Sequence, residues 1–240
     1  MNSIGQILHT ISYMALPLLV AMVFHEYAHG KVANYYGDAT ARLEGRLTLN
    51  PLAHIDPFGT VLLPLLCLVF PTGILLGYAK PVPVNPRNLR NPRRDMALVA
   101  AAGPGMNLLL AIASALLLSV ILAIDPTVAT SISARGSLVP RHDLGGMILV
   151  PLAWMCLYAV LINVVLMVFN LIPIPPLDGG RIVVSLLPLR QAEALSRLEP
   201  YGMMILFILV IADPQIHLLR TVMGPLVNTL TMTIISTFAS

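Results

Sequence analysis

Residues Ile4 to Asn34 make one long apolar run, and its C-terminal part carries His25-Glu26-Tyr27-Ala28-His29. Crossing the hydrocarbon core of a bilayer takes about 20 apolar residues. In that medium a spanning segment can satisfy its own N–H and C=O groups only as a helix or within a closed barrel. Residues four apart on a helix share a face, so His25 and His29 can address one point in space. Two such histidines suit Zn²⁺, and Glu26 beside them is placed to take a proton from a metal-bound water. A water-splitting site inside an apolar helix is therefore the first expectation.

Composition fixes the surroundings. The 240-residue chain is 57% hydrophobic and only 10% charged, against roughly 25% charged for an ordinary soluble domain. So few charges cannot solvate the surface of a soluble protein, which predicts an all-α polytopic membrane protein in contact with the lipid bilayer. The net charge of +3 is small, and the basic residues are strung along loops rather than gathered in a stripe, so no nucleic-acid partner is expected. Cys67 and Cys156 each lie in an apolar run and read as packed thiols. No basic region precedes the first run, so a cleaved signal peptide is not expected.

Core spans are expected at about 4–34, 96–124 and 147–171. A re-entrant or β-hairpin region follows the first of these at about 45–90, and C-terminal helices fall at about 179–190 and 201–238, the last interrupted by Asp213-Pro214. The whole reads as one membrane domain over 1–240. Phe58 to Tyr78 is apolar but broken by Pro64, Pro71, Gly73 and Gly77, and basic residues flank it on both sides. Cytoplasmic loops are enriched in Lys and Arg. If the stretch dips in and returns, 11 of the 14 basic residues lie in the cytoplasm, with Arg135 and Arg141 outside. The re-entrant arrangement also brings His25, His29 and Asp178 to the cytoplasmic ends of their helices, from charge alone.

Catalytic zinc usually takes three protein ligands and keeps one position open. Asp178 is the expected third: it follows a proline-broken span, precedes Gly179-Gly180, and is one of few acids near a membrane segment. The competing reading is that it caps the helix beginning at those glycines.

Three stretches in order carry a family resemblance: His25-Glu26-Tyr27-Ala28-His29, Gly103-Pro104-Gly105-Met106-Asn107, and Leu177-Asp178-Gly179-Gly180. The chain resembles the site-2 proteases, intramembrane zinc metalloproteases. The resemblance implies a three-helix catalytic core in which His25, His29 and Asp178 hold one zinc per chain and Glu26 is the general base. It also implies cleavage of transmembrane protein substrates within or near the bilayer. Asn50-Pro51, His54-Ile55-Asp56-Pro57 and Gly77-Tyr78-Ala79-Lys80-Pro81-Val82-Pro83-Val84 look like the compact bacterial members, with no PDZ-like or CBS-like domain expected. A bacterial cytoplasmic membrane fits that form, with the active site toward the cytoplasm.

Other residues have two readings each. The Asn107 amide could donate to a substrate oxygen on which charge develops, or make an interhelical hydrogen bond; Asn163 and Asn170 favour the latter. His54 and Asp56 could sit behind the metal ligands, or fix a turn. Pro81 and Pro83 lack N–H groups while Lys80, Val82 and Val84 keep theirs, the mark of an edge strand on which an extended substrate could pair. Gly136 to Arg141 resembles an engineered protease-recognition scar as much as a native loop. A metal transporter or a non-proteolytic metal-binding scaffold is the alternative function, but a transporter has no need of a glutamate directly after its first histidine ligand. The topology makes a direct prediction: single cysteines placed near Lys80 are labelled by an impermeant thiol reagent from the cytoplasmic face, and labelling from outside would overturn it.

Overall fold

A computed structural model describes residues 3–62, 79–133, 143 and 145–239. Nine α-helices occur among them: α1 (Ser3–Tyr35), α2 (Thr40–Leu43), α3 (Pro92–Ile124), α4 (Thr127–Ser133), α5 (Val150–Asn170), α6 (Asp178–Leu186), α7 (Leu189–Ser196), α8 (Glu199–Ile216) and α9 (Leu218–Phe238). Among the described residues, four helical stretches are long and apolar enough to cross a membrane: Thr10–Tyr35, Pro92–Ile124, Gly145–Asn170 and Thr221–Phe238. The protein is an all-α polytopic membrane protein, as the apolar runs require.

The helix starts follow local chemistry. Asn50-Pro51, Asn85-Pro86 and Asn91-Pro92 each open a helical turn, with proline in the first position, where its missing N–H costs nothing. The Asn50 and Asn85 side chains accept from the N–H two residues on, at 3.1 Å in each case. At Asn91 the roles are reversed: the Asp95 carboxylate reaches back to the Asn91 N–H at 2.7 Å. The C-terminal region divides more finely than expected, because Pro188 and Pro200 punctuate it into α6, α7 and α8. Asp213-Pro214 does not break the chain. The helix continues to Ile216, and the break falls at His217 with φ 52°, whose N–H donates to the Asp213 carbonyl at 2.7 Å. Histidine tolerates that left-handed conformation better than most residues.

No β-strand occurs among the described residues, so the hairpin expected at 45–90 is replaced, where it is described, by short helical turns at Pro51–Ala53, Pro57–Leu62 and Pro86–Asn88 and by irregular chain at 79–85. The prolines account for this, since Pro81 and Pro83 cannot donate to a ladder. Residues 63–78, which decide whether the apolar stretch crosses or returns, lie outside the described residues, as do Cys67 and the 136–141 loop.

Contacts divide the chain into two compact units. The first comprises 1–21, 107–165 and 227–240. Along its part of α3, Asn107, Ala111, Ala115, Leu118 and Ile121 are buried, at helical spacing, while Leu109, Leu117, Val120 and Ile124 are exposed. The buried stripe begins with a polar and two small side chains, Asn107, Ala111 and Ala115, which let neighbouring helices approach closely as they do in lipid, and ends with Leu118 and Ile121. Leu118 and Ile121 join Val128, Val150, Ala153 and Cys156 in one buried cluster.

The second unit comprises 22–106 and 166–226. There Ala33 of α1, Leu89 of the connection and Val99 of α3 form a small core. Gly37, at φ 112°, turns the chain out of α1, and the next residue is the fully buried Asp38. Its carboxylate accepts from the Thr40 N–H (3.1 Å) and hydroxyl (2.5 Å), the Asn88 amide (3.0 Å) and the Asn85 N–H (2.6 Å). Burial alone would raise its pKa, but the hydrogen bonds from Thr40, Asn88 and Asn85 outweigh it and hold the group below the usual carboxylate range. A carboxyl depressed in the folded state stabilises above its unfolded pKa, and that contribution is lost as pH falls through the folded value. Asp38→Ala should therefore cost about 1–3 kcal/mol near neutrality, by stranding buried donors. In thermal melts of detergent-solubilised protein the gap to wild type should narrow as pH drops below about 4.

Candidate metal centre

Three elements of the second unit converge on one point. α1 supplies His25 and His29 from adjacent turns, with Nε2 atoms 3.0 Å apart and rings edge to face. α6 supplies Asp178, whose Oδ2 lies 3.2 Å from His25 Nε2 and 3.3 Å from His29 Nε2. All three side chains are buried, and among the described residues they are the one group of three or more His, Cys, Asp or Glu side chains close enough to share a metal ion.

This triangle fits zinc. A tetrahedral ion with bonds of about 2.0–2.1 Å separates its ligand atoms by about 3.3 Å. The proton on His29 is also accounted for: Nδ1 donates to the Val99 carbonyl of α3 at 2.7 Å, which leaves a lone pair on Nε2 and orients the ring. Asp178 Oδ2 is then a buried oxygen without a hydrogen-bond donor, although by distance alone it forms an ion pair with both histidines. The tautomer decides between these descriptions. With His29 protonated at Nδ1, its Nε2 and Asp178 Oδ2 face each other lone pair to lone pair, and a cation between them removes the conflict.

Asp178 is not a cap. Leu177 occupies that position, without side-chain capping, and Asp178 is the first residue of α6. Its carboxylate is therefore free of the helix end and benefits from the positive end of the dipole. Close approach depends on glycine. A Cβ on Gly179 would overlap the Leu171 carbonyl, and one on Gly180 would overlap Pro175 N, so the turn from Leu171 to Leu177 lies directly on the first turn of α6. A cis peptide joins Pro175 to Pro176 in that turn, and a Cβ on Gly202 of α8 would overlap the Pro175 carbonyl.

α3 closes the centre with bare backbone. A Cβ on Gly103 would overlap His29 Nε2 and stand 2.6 Å from His25 Nε2. The sequence marks Gly103 only as part of a Gly-Pro-Gly stretch; that its missing side chain makes room for the ligand nitrogens follows from the packing. Likewise unforeseen are the Val99 carbonyl behind His29 and Arg46, which donates to the carbonyls of Lys80 (2.9 Å) and Pro81 (3.3 Å).

The remaining candidates are placed as follows. Glu26 Oε2 accepts the Val82 N–H at 2.8 Å. The Lys80 N–H goes to the His54 carbonyl at 2.9 Å; thus two of the three amides expected to face substrate have partners within the protein. His54 is buried, with Nε2 2.8 Å from the Thr48 carbonyl, and Asp56 accepts the Gly59 N–H at 2.7 Å; both are engaged in turn contacts. Asn107 belongs to the first unit, where its Nδ2 donates to Asn163 Oδ1 at 2.8 Å and ties α3 to α5. Asn170 donates to the Leu166 carbonyl of its own helix at 3.0 Å. A methyl group at 103 has no space beside the ligands, so Gly103→Ala should lower the zinc content of purified protein at least about tenfold. Full occupancy in that variant, measured by elemental analysis, would show that α3 does not crowd the imidazoles.

Known proteins agree with this chemistry. Peptidase family M50 matches residues 13–213. The Bacillus subtilis (strain 168) protein named "Putative zinc metalloprotease YwhC" is 36% identical over 204 residues, covering 85% of this chain and 82% of that protein. Proteins named "Putative zinc metalloprotease Rip2" are 30% identical over 200 residues in Mycolicibacterium smegmatis and 28% over 194 residues in Mycobacterium tuberculosis, covering 80% and 81% of this chain. The chain spans 64% of the length of each of these two relatives. No solved structure matches the chain. The chain belongs to peptidase family M50, the site-2 protease family, and is a zinc metallopeptidase of the membrane.

Proposed function

We propose that His25, His29 and Asp178 hold one zinc ion per chain and that Glu26 is the general base for hydrolysis of peptide bonds in membrane-spanning substrates. The observation that carries this reading is the triangle of ligand atoms 3.0–3.3 Å on a side, with a glutamate beside it in sequence on the same helix. Zinc, when bound, supplies a Lewis acid and a water that ionises near neutral pH. Glu26 would accept a proton from the attacking water and pass it to the leaving amine. His25, His29 and Asp178 would hold the ion, and Glu26 lies on the helix that carries both histidines.

A substrate helix hides its carbonyls in its own hydrogen bonds, so it must be extended before hydrolysis. The Lys80–Val84 segment, one hydrogen bond from Glu26, is the surface on which we place the extended chain. Val84 has an N–H that no hydrogen bond uses among the described residues. The basic loops support an orientation with the centre toward the cytoplasm of a bacterial cytoplasmic membrane. The transporter and scaffold readings draw no support from the family or the relatives.

Purified protein, assayed for zinc and for cleavage of a model transmembrane segment, tests the assignment. Glu26→Gln should keep its zinc and lose about 10²–10⁴-fold in cleavage rate, whereas Asp178→Asn should lose both. Cleavage by Glu26→Gln at the wild-type rate would remove Glu26 from the chemistry.

A further inference from the structure

The Lys80–Val84 segment is fastened more tightly than a surface kept open for substrate needs to be. The Lys80 N–H donates to the His54 carbonyl, and Arg46 holds the carbonyls of Lys80 and Pro81. At the far end, the Asn85 N–H is bound by the buried Asp38 carboxylate at 2.6 Å. Between these anchors, Val82 meets α1 twice. Its N–H donates to Glu26 Oε2 at 2.8 Å, and its side chain lies on Gly30, where an added Cβ would stand 3.0 Å from Val82 Cγ1. Glu26 and Gly30 are four residues apart and share one face of the helix. Val82 is 7% exposed. Pro81 and Pro83 on either side have fixed φ and no N–H, so the amide facing Glu26 has no competing neighbour and little freedom to turn away.

We propose that Val82 is a positioning residue for Glu26: its backbone N–H holds Oε2 and leaves Oε1 as the oxygen that handles the proton. The inference rests on the reading of Glu26 as general base. A glutamate side chain reaches its site through three rotatable bonds, and a charge-assisted hydrogen bond to a braced amide selects one arrangement among many. Lys80, Pro81 and Asn85 serve the same end by fixing the segment from outside. The arrangement also divides the labour along the strand-like segment. Val82 serves the base, so an extended substrate is left the Val84 N–H and the open carbonyls. The two roles predict opposite kinetics. Loss of an orienting contact on the base lowers kcat, whereas loss of a substrate-pairing donor raises KM.

The test compares zinc-loaded wild type, Val82→Pro (which removes the N–H) and Val82→Ala (which keeps it), using a model transmembrane substrate. Val82→Pro should keep its zinc and lose about 10–100-fold in kcat. Its KM should stay within about twofold of wild type, and Val82→Ala should recover most of the lost kcat. A raised KM with unchanged kcat in Val82→Pro would overturn the proposal in favour of substrate pairing at Val82. A second arm needs no turnover: hydrogen exchange at the Val82 amide, followed by NMR of protein carrying isotope-labelled valine. Glu26→Ala should speed that exchange about tenfold or more, and Glu26→Gln, which keeps an acceptor oxygen, should not. Equal exchange in all three proteins would overturn the proposal, and this arm decides if Val82→Pro fails to fold or loses zinc. Absence of cleavage by zinc-loaded wild type would instead count against the proteolytic reading, while the exchange arm still reports on the contact.

Discussion

Zinc chemistry here hinges on distance. On the proposed ligand set, two imidazole nitrogens on one helix and a carboxylate oxygen on another come within about 3.3 Å of each other, and the backbone around them packs closely. Glycines make that close packing possible. Gly103 gives the ligands a wall of bare backbone, Gly179 and Gly180 let the first turn of α6 lie against the preceding turn, and Gly202 does the same for Pro175 from α8. Each of these positions is set by a neighbour that a methyl group would strike. Helix packing in lipid gains little from hydrophobic burial and relies on close contact, so the device that builds the metal centre is the ordinary currency of membrane helices applied at one spot.

Polar groups in the two units follow a common rule by different routes. In the first, Asn107 and Asn163 satisfy each other between two apolar helices, and Asn163 passes its own amide to the Ala159 carbonyl at 2.8 Å. In the second, Asp38 collects two backbone and two side-chain donors at the foot of α1. The contrast is Asp178. Its buried oxygen has no donor, whereas the buried carboxylates of Asp38 and Asp95 are hydrogen-bonded. An exception of that kind supports the proposed place of the cation.

Much of this was readable in the residues. His25 and His29 are fixed relative to each other by the helix repeat, and apolar runs give the spans, because both are local properties. Asp178 could be named from its rarity and its glycines, but its release from capping duty depends on Leu177 taking the cap position. The contacts of Gly103, Val99 and Gly30 join residues some 50 to 80 positions apart, and no local pattern encodes them. The proline-marked edge shows the limit well. Alternation correctly separates the amides of Lys80, Val82 and Val84 from the prolines, yet it does not reveal that His54 and Glu26 have already taken two of the three.

The ligand set also has an order in time. Asp178 follows His29 by about 150 residues, and at ribosomal speeds of about 5–20 residues per second that gap takes roughly 8 to 30 s to synthesise. During that interval the nascent chain holds the two histidines and Glu26 but lacks the oxygen that completes the triangle. On the proposed ligand set, the full triangle can form only after three of the membrane-length helices have been made.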